Sequence, residues 1–243
     1  MCANFLLLFF EKRRGNNLFW GKLYKQPKYK FNMVKINFIW SFIYDQTIHN
    51  PTVKEDFDYE KYQKYIEDYL KKVESIWKTK EKQVLNSCEK LSGLKWKKEE
   101  IPVYVIKISS IMPLSDPLTI PIQLESGDEV FSLTPERFVN MMVHEIIHNL
   151  FIQNEKEMGN YFEFILDKYK NEDFDTAIHL LLHSIHKKIL KEHFDKSRLD
   201  EEIEMSSFYP SYKKSWEIVN KIGEDVIIKE FKDYAFKFPK EKA

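Results

Sequence analysis

The sequence predicts an α+β fold, in which a small sheet packs on one buried helix and a mainly helical C-terminal part follows. Two observations lead to this prediction. Segments typical of strands lie before residue 125, at residues 33–44 and 101–109, whereas apolar residues recur every three or four positions after residue 134. The chain also has 43% apolar residues, including 19 phenylalanines, which excludes a disordered protein that cannot bury a core.

A length of 243 residues suits one domain, which we expect to span residues 33–243. The sheet and the buried helix occupy residues 33–154 in this prediction, and the helical part occupies residues 155–243. Residues 1–32 are an N-terminal extension, and the sequence leaves open whether they belong to the native protein. Their apolar run, residues 5–10, is too short to span a bilayer and lacks the preceding basic residues of a signal peptide.

The charge balance and the cysteine content limit the binding partners and the cellular compartment that we expect. Lysine plus arginine and aspartate plus glutamate both number 38, so we expect no nucleic-acid partner and no general affinity for anionic membranes. We also expect no membrane span. The two cysteines, Cys2 and Cys88, are too few for a disulfide framework, which favours a reducing, cytoplasmic location. The oligomeric state stays open.

The N-terminal half begins with a strand and a helical region. Residues 33–44 alternate between apolar and polar positions, which is the period of a half-buried strand. Residues 58–91 are charged and helical in period, and they predict one long helix or two abutting helices that end near Gly93.

Two more strands are expected before the central helix. Residues 101–109 are dense in β-branched residues and form the best strand pattern of the chain. Residues 118–123 predict another strand, in which Pro121 lacks an N–H donor and therefore favours an edge or an irregular position.

The central helix has strong signals at its start. Thr134 is a good N-cap, Pro135 suits the first helical position, and Glu136 favours the positive end of the helix dipole. Apolar residues cover most of its circumference as far as Gln153, so we expect this helix to be buried.

Three further helices are expected after it, at residues 160–169, 175–194 and 212–231. The first of them has Asn160 as a candidate N-cap and Glu163 three residues later, a pattern that resembles a capping box.

The central helix contains His144, Glu145 and His148 in the order HExxH. Residues four apart lie on one face of a helix, about 5–6 Å apart at Cβ, so both imidazoles can bind one tetrahedral ion. Glu145 lies beside the first histidine, where it can act on a water molecule instead of binding the metal. The pattern therefore predicts a Zn²⁺ site with Glu145 as general base.

With these residues the chain resembles the zincin metallopeptidases, whose active-site helix supplies two zinc-binding histidines and a general-base glutamate. The resemblance implies a zincin-like fold, in which a small mixed sheet packs on the active-site helix and a more helical part supplies the third zinc ligand. It covers residues 33–194 as architecture, but its specific motif is five residues long, so no subfamily follows.

The third ligand has several candidates. The HExxHxxGxxH branch does not fit, because Phe151 and Asn154 replace its glycine and histidine. His183 is the preferred ligand, because it lies deeper in the predicted helix 175–194 than its close rival His179. Glu172 is a weaker alternative, since it lies in a polar run that predicts a loop.

The function predicted from the motif is a zinc-dependent metallopeptidase that acts on a peptide or protein substrate. Tyr212, Tyr209 and His186 are candidates for stabilising the oxyanion or for supporting the ligands. Two alternatives stay open. The first is a zinc hydrolase of another amide or ester, and the second is a non-catalytic scaffold with a relict HExxH helix.

Overall fold

The computed structural model describes residues 34–49, 58–110 and 113–236. The N-terminal extension predicted for residues 1–32 lies outside these residues. Within them the fold is mixed α+β, with a small mixed sheet and a helical C-terminal part, which confirms the predicted class. None of the helices in the described ranges is long and apolar enough to cross a membrane.

The sheet has five strands in the described residues: β1 Lys35–Trp40, β2 Glu100–Ser109, β3 Leu114–Ser115, β4 Leu118–Ser126 and β5 Glu129–Ser132. Their spatial order is β1-β2-β4-β3, with β5 paired to β4. β1 and β2 are parallel, β2 and β4 are parallel, and the short strands β3 and β5 run antiparallel to β4.

The predicted strands at 101–109 and 118–123 are confirmed, and Pro121 is in register with Ile106 of β2 on one side of β4 but lies opposite a break in the pairing on the other side. β3 pairs with residues 118–119 of β4, and β5 pairs with residues 123–126, so Pro121 falls between the two paired stretches. A missing N–H donor is tolerated there because neither short strand pairs with it.

Helices make up most of the remaining structure. Their bounds are α1 Phe42–His49, α2 Tyr59–Lys78, α3 Glu81–Ser92, α4 Pro135–Gln153, α5 Glu155–Lys168, α6 Phe174–His193, α7 Lys196–Ser206, α8 Pro210–Ile222 and α9 Glu224–Ala235.

The first prediction that needs correction concerns residues 33–44. The strand ends at Trp40, and α1 follows it at once. Asp45 of α1 is fully buried and accepts hydrogen bonds from Trp40 Nε1 at 3.0 Å, Tyr62 Oη at 2.8 Å and the Lys107 backbone N–H at 3.0 Å. These bonds require a turn of helix after β1, so tertiary contacts override the alternating pattern.

Two abutting helices, α2 and α3, occupy the predicted region 58–91, as one of the two alternatives proposed. Asp58 caps α2 by accepting a hydrogen bond from the Lys61 backbone N–H at 2.9 Å. Gly93 ends α3 with φ of 79°, a left-handed conformation that costs glycine little.

α4 is the centre of the molecule and is buried along most of its length, as predicted. Thr134 accepts a hydrogen bond from the Arg137 backbone N–H at 3.2 Å, which confirms it as the N-cap. The helix packs on β3 and β4 at one side and on α2, α6 and α7 at the others. It therefore carries its polar side chains into the contact between the sheet and the helical part.

The later helices differ from the predictions in three places. α5 begins at Glu155, so Asn160 is internal and does not cap it, because Asn154 holds the corner through bonds to the Lys95 and Leu150 carbonyls. The region 212–231 is not one helix, since it divides at Gly223, where φ is 95°. α7 was not predicted at all.

Candidate metal centre

α4 and α6 pack together and bring five histidines into one cluster, which we call the histidine cluster. His144 lies at its centre, with ring centroids 5.1–5.8 Å from those of the other four members. The other members are His148, His179, His183 and His186. α6 runs from Phe174 to His193, within two residues of the predicted helix, so its histidines lie on the face that the sequence indicated.

Two overlapping groups of three donors are close enough to hold a metal ion. In each group the ligand atoms lie within 4.8 Å of one another. The first is His144, His148 and His179, and the second is His144, His186 and Glu202. They are the groups of this kind found in the described residues, and either can hold a metal ion.

The spacing of two nitrogens in the first group is compatible with a tetrahedral metal ion. His148 Nε2 and His179 Nε2 are 3.3 Å apart, and two nitrogens that share a tetrahedral zinc at about 2.0–2.1 Å lie about 3.3 Å apart. His179 Nδ1 donates to the Asp175 carbonyl oxygen at 2.6 Å. A carbonyl can only accept, so the proton of neutral His179 lies on Nδ1 and leaves the Nε2 lone pair directed at His148.

His183, the preferred third ligand of the sequence prediction, belongs to neither group of donors. Its ring stacks on Trp216 with centroids 4.2 Å apart, and its Nδ1 bonds to Ser215 Oγ at 3.0 Å. Both partners lie on α8. The geometry therefore favours the rival, His179, as the third ligand, while Glu172 remains in the turn before α6.

Burial keeps the cluster neutral. The pKa of His179 is lowered to about 4 and that of His186 to about 3, mainly because burial disfavours the charged ring. The pKa values of His144, His148 and His183 are lowered well below 6.5 by burial, and neighbouring histidines lower them further. Neutral imidazole is the form that binds metal ions.

Glu145 lies on the sheet side of α4 and is 3% exposed. Burial raises its pKa to about 8, although Ser115 Oγ opposes this rise by donating to Glu145 Oε2 at 2.5 Å. A chain of hydrogen bonds continues from Ser115. Asn149 Nδ2 donates to the Ser115 carbonyl, Gln153 Nε2 donates to Asn149 Oδ1, and Gln153 Oε1 accepts from the backbone at Lys97.

Tyr212 lies at the cluster, as the sequence predicted for a residue near the site. Its ring centroid is 4.1 Å from that of His179 and 5.7 Å from that of His144. Tyr209 lies 5.6 Å from Tyr212 and is 42% exposed. Tyr212 is therefore the nearer hydroxyl-bearing residue to the first donor group.

Glu202 is the functional candidate that sequence reasoning missed. It lies on α7, is 2% exposed, and its Oε1 is 3.8 Å from His186 Nδ1. Burial raises its pKa to about 7, while Arg198 opposes the rise. No pattern in the charged segment around it separates Glu202 from its exposed neighbour Glu204.

No protein-family model matches this chain, and no curated protein or solved structure matches it. The assignment of a function therefore depends on the geometry of the cluster itself.

Proposed function

We propose that the protein is a zinc-dependent metallopeptidase of zincin type, with His144, His148 and His179 as zinc ligands and Glu145 as general base. The observation that carries this proposal is the 3.3 Å separation of His148 Nε2 and His179 Nε2, together with the hydrogen bond that fixes the His179 tautomer. Without a metal ion, His148 Nε2–H donates a hydrogen bond to His179 Nε2 across this distance, and a cation that binds both nitrogens would take the place of that proton.

The donor set fits zinc. Imidazole nitrogen is a ligand that zinc prefers, and three protein ligands leave one position for water or substrate. The Asp175 carbonyl accepts a hydrogen bond from His179 Nδ1, which is the kind of contact that orients most zinc-binding histidines. When bound, zinc polarises a carbonyl and lowers the pKa of water to about 7.

The proton transfers and the stabilisation of the oxyanion are assigned to residues of the chain. Glu145 accepts the proton of the attacking water at Oε1, the oxygen that Ser115 does not hold, and donates it to the nitrogen of the leaving amine. Burial raises the pKa of Glu145 to about 8 without a metal ion, so a cation bound by the neighbouring histidines would have to lower this pKa for the carboxylate to accept a proton at neutral pH. Tyr212, beside His179, is the proposed donor to the oxyanion.

The test combines zinc analysis with a Glu145→Gln variant and a matched control, Glu136→Gln, which changes an exposed residue at the start of the same helix. We expect one or more zinc ions per chain in all three proteins, measured by plasma mass spectrometry after desalting. Cleavage of a peptide library should fall about 10²–10⁴-fold in Glu145→Gln and stay unchanged in Glu136→Gln.

The alternatives give different results. A wild-type protein without bound zinc overturns the metalloenzyme. Zinc binding with Glu145-dependent cleavage of esters or other amides, and none of peptides, identifies another hydrolase. Zinc binding with no hydrolysis of any substrate identifies a scaffold with a relict motif.

A further inference from the structure

The second donor group, His144, His186 and Glu202, contains buried polar atoms that have no hydrogen-bond partner among the described residues. His186 and Glu202 are 0% and 2% exposed. Neither ring nitrogen of His186 has a hydrogen-bond partner among the described residues, and neither does Glu202 Oε2. Burying a carboxylate or an imidazole without such partners is costly, so buried polar groups usually have them or bind an ion.

The spacing of these atoms suits a shared ion better than a direct bond. His186 Nδ1 and Glu202 Oε1 are 3.8 Å apart, which is too long for a hydrogen bond. Two ligands of one tetrahedral zinc ion, each about 2.0–2.2 Å from it, lie about 3.3–3.6 Å apart. The pair is a few tenths of an ångström wider than this, so a small side-chain adjustment would let both atoms bind one cation.

The nearby arginine does not replace such a cation. Arg198 directs its Nε and one terminal nitrogen to Asn140 Oδ1, at 2.9 and 2.6 Å, and it also donates to the Glu136 carbonyl. Among the described residues, His186 is the basic group that lies within 4.0 Å of the Glu202 carboxylate, and Arg198 is not.

His144 can serve both donor groups because it lies between them. His179 and His186 are seven residues apart on α6, a rise of about 10.5 Å along the helix. The His144 ring centroid is 5.6 Å from that of His179 and 5.8 Å from that of His186, so His144 lies nearly midway. Its two ring nitrogens point to opposite sides of the ring, and each can serve one group.

We propose that His186, Glu202 and the second ring nitrogen of His144 form a buried second site for a divalent cation of the zinc class, with His144 as a bridge between two ions. Two nitrogens and one carboxylate oxygen suit zinc or a similar transition metal. When the second ion binds, His144 releases its remaining ring proton to solvent, so the bridge is an imidazolate. Each ligand comes from a different helix, α4, α6 or α7.

The experiment counts zinc ions by native mass spectrometry in the full chain, loaded with Zn²⁺ and then desalted. We expect two ions in the wild type, one in Glu202→Gln, one in His148→Gln and none retained at either site in His144→Gln. Glu204→Gln, an exposed change on the same helix as Glu202, is the control and should keep two ions. Circular dichroism checks that each variant is folded.

One ion in the wild type, unchanged by Glu202→Gln and lost in His148→Gln, overturns the second site and leaves the proposed function standing. An ion lost in Glu202→Gln but kept in His148→Gln supports the second site and removes the proposed catalytic zinc. A wild-type count of zero overturns the second site even where a variant does not fold.

Discussion

Two buried polar clusters in the described residues, one at Asp45 and one at His144, differ in how fully their atoms are hydrogen-bonded. Asp45 accepts three hydrogen bonds from three different segments, with all distances between 2.8 and 3.0 Å. In the histidine cluster and its neighbour Glu202, by contrast, four buried atoms have no partner among the described residues, of nine such atoms in all.

The difference separates a structural role from a binding role. A buried carboxylate whose oxygens are fully hydrogen-bonded stabilises the fold and needs no other ligand. A cluster of neutral rings with unpaired nitrogens at ligand spacing has the donor atoms that the proposed metal sites require. We therefore expect changes at Asp45 to alter stability without altering zinc content, and changes in the histidine cluster to alter zinc content first.

The largest expected effect is a difference in zinc affinity between the His179→Gln and His183→Gln variants of the histidine cluster. His179→Gln removes a ligand and should weaken zinc binding about 10³-fold, whereas His183→Gln should weaken it about 10-fold or less. Competition with a chromophoric chelator measures both affinities. His193→Gln, at the end of the same helix, serves as the control. Equal losses in His179→Gln and His183→Gln would contradict the assignment of the third ligand.

The next largest effect is a loss of stability expected from a change at Asp45, whose carboxylate accepts three hydrogen bonds. Asp45→Asn places an amide N–H₂ where three donors converge, and it should lower the free energy of unfolding by about 3 kcal/mol. Urea denaturation measures the change. Asp68→Asn removes an exposed ion pair with Lys71 and should change stability much less. A loss of zinc in Asp45→Asn would show that the two clusters are not independent.

The pH dependence of the stability of the zinc-free protein should reflect the histidine cluster and the two buried glutamates beside it. The five histidines have folded pKa values below 6.5, so the unfolded chain binds more protons and stability falls as the pH drops below 6.5. Glu145 and Glu202 have folded pKa values raised to about 8 and about 7, so their contribution is present at low pH and is lost as the pH rises through those values.

Together these shifts place the stability maximum of the zinc-free protein near pH 6.5. Between pH 6.5 and 8 the two glutamates should lower the free energy of unfolding by about 2 kcal/mol. Urea titrations of chelator-treated protein at several pH values measure the profile. A Glu145→Gln/Glu202→Gln variant should lose the fall above pH 6.5, and an unchanged fall would contradict its assignment to these groups.

The smallest effect should come from Ser115→Ala, which removes one hydrogen bond to Glu145 at the margin of the cluster. Stability should fall by about 1 kcal/mol. Because this bond lowers the pKa of Glu145, its loss should raise that pKa and move the acidic limb of any Glu145-dependent hydrolysis to higher pH. Ser132→Ala, at an exposed strand position, is a matched control.

Local signals in the sequence predicted α4 well, because caps and the HExxH spacing act within one helix. Thr134 and Pro135 fix its start regardless of what packs around it. The identity of the third ligand was harder to predict from the sequence. His179 and His183 share one face of α6, and spacing cannot show that Ser215 and Trp216 hold the ring of His183.

α7 and Glu202 could not be predicted, because the face that α7 buries is polar. Its buried residues are Arg198, Glu202 and Ser206, so the apolar period that reveals most helices is missing. The burial of Glu202 arises only when α7 packs on α4 and α6, 58 residues along the chain from His144. Such a long-range contact leaves no trace in a single sequence.

The hydrogen-bond chain from Gln153 through Asn149 and Ser115 has a consequence for redesign. It anchors Glu145 to the strand side of the molecule, from the backbone at Lys97 to the β3 strand. Glu145 shares α4 with two of the three proposed ligands, His144 and His148, but the hydrogen bonds that hold its carboxyl group come from the strand side, away from α6. Ser115 therefore offers a position at which the strength of the proposed base can be changed without replacing a proposed ligand.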